Sequence, residues 1–199
     1  MKVLKVIVAA TMLFAAQKAS AVVDVSAFGG YTILGPATVN LGLDTKISSG
    51  YYAGVDAGWS VLPFLKVGPR FEYLASGEGK VDLGTFFGTP WNYTESFSLM
   101  MFEGGASYSY EIPGSQFTVG GGAWLGYGML TDSTTLNFLG TSTAAAGTAS
   151  GFVSEIEGNA SYKIVPTVSV CVDLGYRLAS IAAVDLSGIN IGGRVTFGF

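Results

Sequence analysis

Eight stretches of this chain alternate apolar and polar residues with a period of two, the spacing that sends successive strand side chains to opposite faces of a sheet. They run 23–33, 50–61, 65–75, 97–111, 116–130, 151–164, 168–179 and 188–199. In the second, Tyr51, Ala53, Val55, Ala57, Trp59 and Val61 oppose Tyr52, Gly54, Asp56, Gly58 and Ser60. In the seventh, Val168, Val170, Val172, Leu174, Tyr176 and Leu178 oppose Ser169, Cys171, Asp173, Gly175 and Arg177. Each stretch is 11–15 residues long, enough for a strand to cross a bilayer at a tilt. Lipid admits only helices and closed barrels as spanning backbone. With no apolar run of 18 residues after the first 21, the pattern predicts an all-β, eight-stranded, antiparallel up-and-down transmembrane barrel.

The connections alternate in length. Three are tight and carry Pro63, Pro113 and Pro166. The others, 34–49, 76–96, 131–150 and 180–187, are read as loops; short turns at one end and long loops at the other are usual in outer-membrane barrels. A turn centred on Pro63 sets Asp56 opposite Arg70, and one centred on Pro166 sets Glu155 opposite Arg177. Opposite charges facing each other across a ladder are favourable. For the middle turn, a centre between Pro113 and Gly114 sets Tyr110 opposite Phe117 and Glu103 opposite Trp124. Pro69 falls inside the third segment, where a closed barrel has no free edge to excuse a missing N–H, so a bulge is expected there.

Composition then separates the leader from the barrel. Residues 1–21 read as a signal peptide: Lys2 and Lys5, an apolar stretch from Val6 to Ala16, and Ala19-Ser20-Ala21 as the cleavage site. The barrel domain is 22–199, with seven basic and fourteen acidic residues. Twelve of these 21 charges fall on the polar face and are expected to line the interior: Asp24, Asp56, Lys66, Arg70, Glu72, Glu103, Glu155, Glu157, Lys163, Asp173, Arg177 and Arg194. With Tyr52, Met101 and Trp124 they are expected to fill it, since eight strands enclose little more than their own side chains. None sits on the apolar face in mid-span, where Lys or Arg costs about 2–4 kcal/mol. On that face Tyr51 and Trp59, Phe117 and Tyr127, and Phe152 and Tyr162 are eight to ten residues apart. Ten residues of tilted strand rise about 25 Å, the height of the apolar band between two aromatic girdles. Tyr176 and Phe197 occupy corresponding places on the last two segments.

The chain has no His and one Cys, which excludes imidazole chemistry and internal disulfides. Its net charge of -4 argues against nucleic acid as a partner. No cofactor is implied. Glu155 and Glu157 could in principle do acid–base work, but their i, i+2 spacing suits a structural lining. Gly120 to Gly122 lack a nucleotide-loop spacing and read as strand, Cys171 reads as a small inward residue, and Asn92-Tyr93-Thr94 matches a glycosylation sequon by composition alone.

The leader, the eight alternating segments, the Pro-marked turns and the ending Val195-Thr196-Phe197-Gly198-Phe199 together resemble the small eight-stranded outer-membrane β-barrel family, the OmpA transmembrane domain, OmpX and OmpW among them. The resemblance covers the whole of 22–199. It implies a bacterial outer-membrane location, contact with outer-membrane lipids, and Phe199 as the terminal signal read by the barrel-assembly machinery. The enzymes of such barrels rely on His, so none is implied here. The leading expectation is a structural or surface-interaction protein with a closed polar interior and no catalysis. The alternatives are a narrow path for small hydrophobic solutes and an adhesin acting through its loops. The solute path is suggested by Val39, Leu41, Leu43, Ile47, Leu83, Phe86, Phe87, Trp91, Leu136, Phe138 and Leu139 in the long connections.

Overall fold

A computed structural model describes residues 23–40, 44–86, 89–138, 141–182 and 184–199. The signal-peptide expectation lies outside these residues. So do Leu41, Leu43, Phe87 and Leu139, and the side chains of Val39, Ile47, Leu83, Phe86, Trp91 and Phe138.

The period-two segments all form strands. In chain order these are β1 (Val23–Asn40), β2 (Asp44–Leu62), β3 (Leu65–Ser76), β4 (Gly79–Phe86), β5 (Thr89–Glu111), β6 (Phe117–Phe138), β7 (Thr141–Val165), β8 (Val168–Ile181), β9 (Val184–Asp185) and β10 (Gly188–Gly198). Eight of them close a ring: β1, β2, β3, β5, β6, β7, β8 and β10, each antiparallel to its neighbours. Pairing of β10 with both β1 and β8 shuts it, so no edge is left within the closed part of the ring. β4 and β9 lie off the ring, on β5 and β8 respectively.

Two expected registers hold. Asp56 pairs with Arg70 and Glu155 with Arg177. Each turn has two residues, Pro63-Phe64 and Pro166-Thr167, preceded by a one-residue register shift at Val61 or Ile164. The extra residue brings a two-residue turn into the register of a proline-centred one, as a bulge does. The middle register is different: Tyr110 pairs with Val119 and Glu103 with Gly126, not with Phe117 and Trp124. Here the turn takes four residues, Pro113–Gln116. The Ile112 N–H donates to the Phe117 carbonyl at 3.0 Å, and Gly114 sits at φ 74°, where an L side chain is strained. The longer turn slides the ladder by two, so every side chain keeps its face.

No bulge forms at Pro69. The β3–β5 ladder runs through Pro69↔Gly104 without a shift, and β2–β3 keeps one register on both sides of the proline. The β2–β3 ladder omits pairs for Ala57 and Gly58 and then resumes. Gly68 lets the strands lie close at this gap in the ladder: a Cβ there would lie 1.8 Å from the Ala57 carbonyl oxygen.

The long connections are mostly strand rather than loop. The β6–β7 ladder continues unbroken up to Phe138↔Thr141, and β1–β2 pairing reaches Asn40↔Asp44 after one irregularity between Ile33 and Ala37. Residues 142–148 are exposed, so no buried face imposes alternation on the sequence there. Backbone pairing extends the hairpin by itself.

Candidate functional site

The outward face of the ring is an apolar surface. Tyr51, Phe152, Ile156, Leu125, Val172 and Leu174 are all more than half exposed. Among the described residues, no charged side chain lies on this face between the girdles. Trp59, Phe117, Tyr162 and Phe197 stand exposed towards the short turns, and Tyr51, Tyr127, Phe152 and Tyr176 towards the long hairpins. Register ties these belts together, with Phe117 opposite Tyr162 and Tyr127 opposite Phe152. The Phe117 and Tyr162 rings are 5.1 Å apart, a favourable tilted contact. Phe199 is 79% exposed at the end of the closing strand, its N–H bonded to the Val23 carbonyl at 2.9 Å.

Inside, three tiers follow one another along the axis. The first is a polar cavity of about 640 Å³ at the short-turn end, lined among others by Asp24, Lys66, Ser107, Asn159, Lys163 and Thr196. Lys66 pairs with Asp24, and Lys163 with Glu111. Lys163 is well exposed at the rim, and Cys171 lines the cavity with its thiol 3.4 Å from Asp173 Oδ1.

The second tier is ionic and buried. Arg70 Nη2 donates to Glu157 Oε2 at 2.7 Å, with Glu155 Oε1 3.5 Å from Arg70 Nη1. Arg194 bonds Asp56 at 2.7 Å and Glu157 at 3.0 Å, and lies 3.4 Å from Asp173. Arg177 pairs with Glu72 and, at 3.1 Å, with Glu155. Asn190 bridges Thr32 and Glu155, accepting from the Thr32 hydroxyl at 2.7 Å and donating to Glu155 at 2.8 Å. The Arg70 guanidinium lies 3.9 Å from the Trp124 ring centroid, a cation–π contact strengthened by desolvation. Glu103 stands beside Arg70 in the β3–β5 register, only 5% exposed, and neither of its carboxylate oxygens has a hydrogen-bond partner among the described residues.

The third tier, towards the long hairpins, is apolar: Leu34, Leu74, Phe97, Leu99, Met101, Leu130, Val153, Ile181 and Leu186 are buried together. Leu186 enters from the segment between β9 and β10. Its N–H donates to the Ala179 carbonyl at 2.7 Å, and Ala182 turns the chain at φ 51°. Asp185, outside the barrel wall, is held below the usual carboxylate range by bonds from the Ser187 hydroxyl and the Ser187 N–H.

The expected polar interior is thus corrected. Beyond the ionic tier the interior is packed with hydrocarbon, and the short-turn end holds a cavity rather than packed side chains. The charge pattern alone misses the apolar tier, although a signal for it is present. Leu74, Leu99, Val153 and Ile181 share the parity of Glu72, Glu103, Glu155 and Arg177, so the inward face changes character along the strand. Glu95, 1% exposed on β5, belongs to the interior too, although it falls in a stretch whose pattern reads as a loop.

No protein-family model and no curated protein matches the chain. Solved structures do. A major outer membrane protein from Thermus thermophilus aligns at 14% identity over 90% of this chain and 100% of its own, with a TM-score of 0.60. Neisserial surface protein A (NspA) aligns at 13% identity over 89% of this chain and 97% of its own, with a TM-score of 0.53. At such identities the likeness is one of fold. Ring closure, a charge-free outer belt and these matches together give the chain the fold of the small eight-stranded outer-membrane β-barrels.

Proposed function

We propose that this chain is a non-catalytic barrel of the bacterial outer membrane, exported by a cleaved leader at residues 1–21 and acting through the hairpins it projects rather than through a pore. The observation that carries this reading is the blocked lumen. The open cavity ends against Asp56, Trp124, Glu157 and Arg194. Beyond them Arg70, Glu72 and Arg177 are at most 3% exposed, and Leu74, Leu99, Val153 and Ile181 are wholly buried. A conducting path needs a continuous wet route, and two consecutive tiers of packed side chains speak for a closed lumen. Outer-membrane lipids are the partner the apolar belt calls for, because exposing that area to water is unfavourable. Phe199, exposed on the closing strand, suits recognition by the barrel-assembly machinery.

Planar-bilayer recording tests the reading. The purified, refolded barrel is expected to give no discrete conductance steps, and stable steps at neutral pH would reject it. Fractionation and N-terminal sequencing are expected to place the protein in the outer membrane, starting at Val22.

A further inference from the structure

The cavity at the short-turn end has a lining that the sealing of the lumen does not explain. Its volume, about 640 Å³, falls among those of small-molecule sites, about 300–1,000 Å³. Seven charged side chains line it, and each already has its partner. Lys66 holds Asp24 and Lys163 holds Glu111 at the rim, while Arg194 holds Asp56 and Glu157 at the floor. Between rim and floor the wall presents neutral polar groups, the hydroxyls of Ser107, Ser109, Thr118, Ser161 and Ser169 and the Asn159 amide.

The floor also carries a donor without an acceptor. Trp124 is 4% exposed, and its indole N–H reaches no hydrogen-bond partner among the described residues. The N–H stands on the cavity side of its ring: a Cβ at Gly122, two residues nearer the Pro113–Gln116 turn, would lie 3.0 Å from Nε1. Glycine at 122 keeps that approach clear. The Glu157 carboxylate is close by, but its oxygens are taken by Arg70 and Arg194. Arg70 packs on the face of the Trp124 ring, which fixes the ring in place.

We propose that this cavity binds an uncharged polyol of sugar size. That it enters from the periplasm rests on the outer-membrane reading above; the ligand class follows from the lining. An anion meets four carboxylates against three bases, inside low-dielectric walls that strengthen the repulsion. A cation has to displace Lys66, Lys163 or Arg194 from partners they already hold, and it offers the indole N–H no lone pair. An apolar solute strips solvent from the wall hydroxyls and returns no bond. A polyol has none of these faults. Each of its hydroxyls both donates and accepts, so it matches the Ser, Thr and Asn wall group by group. An oxygen at its deep end accepts from Trp124.

Cys171 lines the same cavity and is the chain's single thiol, which makes it a native reporter. The mature chain is refolded into phosphatidylcholine nanodiscs, without sugar detergents. Methyl methanethiosulfonate, small and uncharged, is expected to label Cys171, the rate being read by mass spectrometry. Glucose, trehalose and sorbitol are tested singly. At least one should slow labelling saturably, by about fivefold or more, because a pocket ligand covers most of its lining. Spermidine and inorganic phosphate at equal concentration should not. Trp124→Phe keeps a ring beside Arg70 but removes the N–H, and should weaken binding of the protecting polyol about tenfold. Ser107→Val, on the wall, should weaken it with the floor intact, and carries the test if Trp124→Phe does not refold. A control thiol, Ser142→Cys on a Cys171→Ser background, is exposed on the β6–β7 hairpin and should label equally fast with or without polyol. A Cys171 that does not label, no protection by any of the three polyols, protection by spermidine or phosphate, slowing of the control thiol, or undiminished protection in the variants would each overturn the inference. Each variant is checked for a heat-modifiable gel shift. Loss of that shift in the wild type would overturn the barrel reading itself and not only the ligand.

Discussion

Arg70 gathers more of the interior than any other side chain. It touches Glu157 and Glu155, lies 4.0 Å from Asp56, and packs on Trp124 and Phe28. Burying it is costly in itself. Once its partners are in place, removing it strands buried carboxylates, at about 3–5 kcal/mol for a broken pair. Arg70→Ala is therefore expected to lower the urea midpoint of the refolded barrel in detergent, and an unchanged midpoint would contradict the interior network. Glu103 is the converse case. Its carboxylate is buried without a hydrogen bond, so neutralising it relieves a desolvation cost and forfeits no bond. Glu103→Gln is expected to leave the urea midpoint unchanged or raise it, whereas Glu157→Gln, which weakens bonds to Arg70 and Arg194, should lower it.

Among the elements, β3 is shaped by Pro69 and its neighbour acting as one device. Proline removes a ladder donor, and Gly68 lets the Ala57 carbonyl close in where a Cβ would stand. Gly68→Val should force the strands apart and destabilise the barrel by about 1–3 kcal/mol, as overpacking does, seen as a lower temperature for the gel shift. The segment between β8 and β10 is held at a second point by Asp185 and Ser187. Ser187→Ala removes the hydroxyl that contributes most to holding the Asp185 carboxyl down. Its titration, followed by carboxyl carbon NMR, should move up towards the ordinary value of about 3.9. A depressed carboxyl stabilises the folded state above its unfolded pKa, and that contribution fades as pH falls through the folded value. Loosening of this segment in the wild type is thus expected below about pH 4 and not above it.

Taken whole, the barrel is sealed by two different physical means in series. The ionic tier resists opening because its charges have no water to replace their partners. The apolar tier resists wetting because its lining offers water nothing to bond. Removing one should leave the other in place. Leu186→Ala, or Arg177→Met, is expected to leave the planar bilayer silent, and only combined disruption of both tiers should admit current. A single substitution that opened a stable conductance would show that the tiers do not act independently.

Strand number, inward and outward faces and the two proline-turn registers are legible in the chain because each rests on local rules. A period of two is forced wherever one side meets lipid and the other meets the lumen, and one misplaced charge there is expensive. The signal weakens where that contrast disappears. The described side chains at 131–137 and 142–150 are exposed or only half-buried, so their strands leave no alternation to read. The length of the Pro113–Gln116 turn depends on how the ladder closes, and a shift of two leaves the faces unchanged. Side-chain parity gives the alternation of a barrel, and the composition of the two faces, large and aromatic on one and rich in Gly and Ser on the other, marks the apolar face as lipid-facing. The division of the lumen is settled only in three dimensions. The height at which Glu72 gives way to Leu74, and Glu155 to Val153, acquires meaning only when eight strands bring those positions to one level.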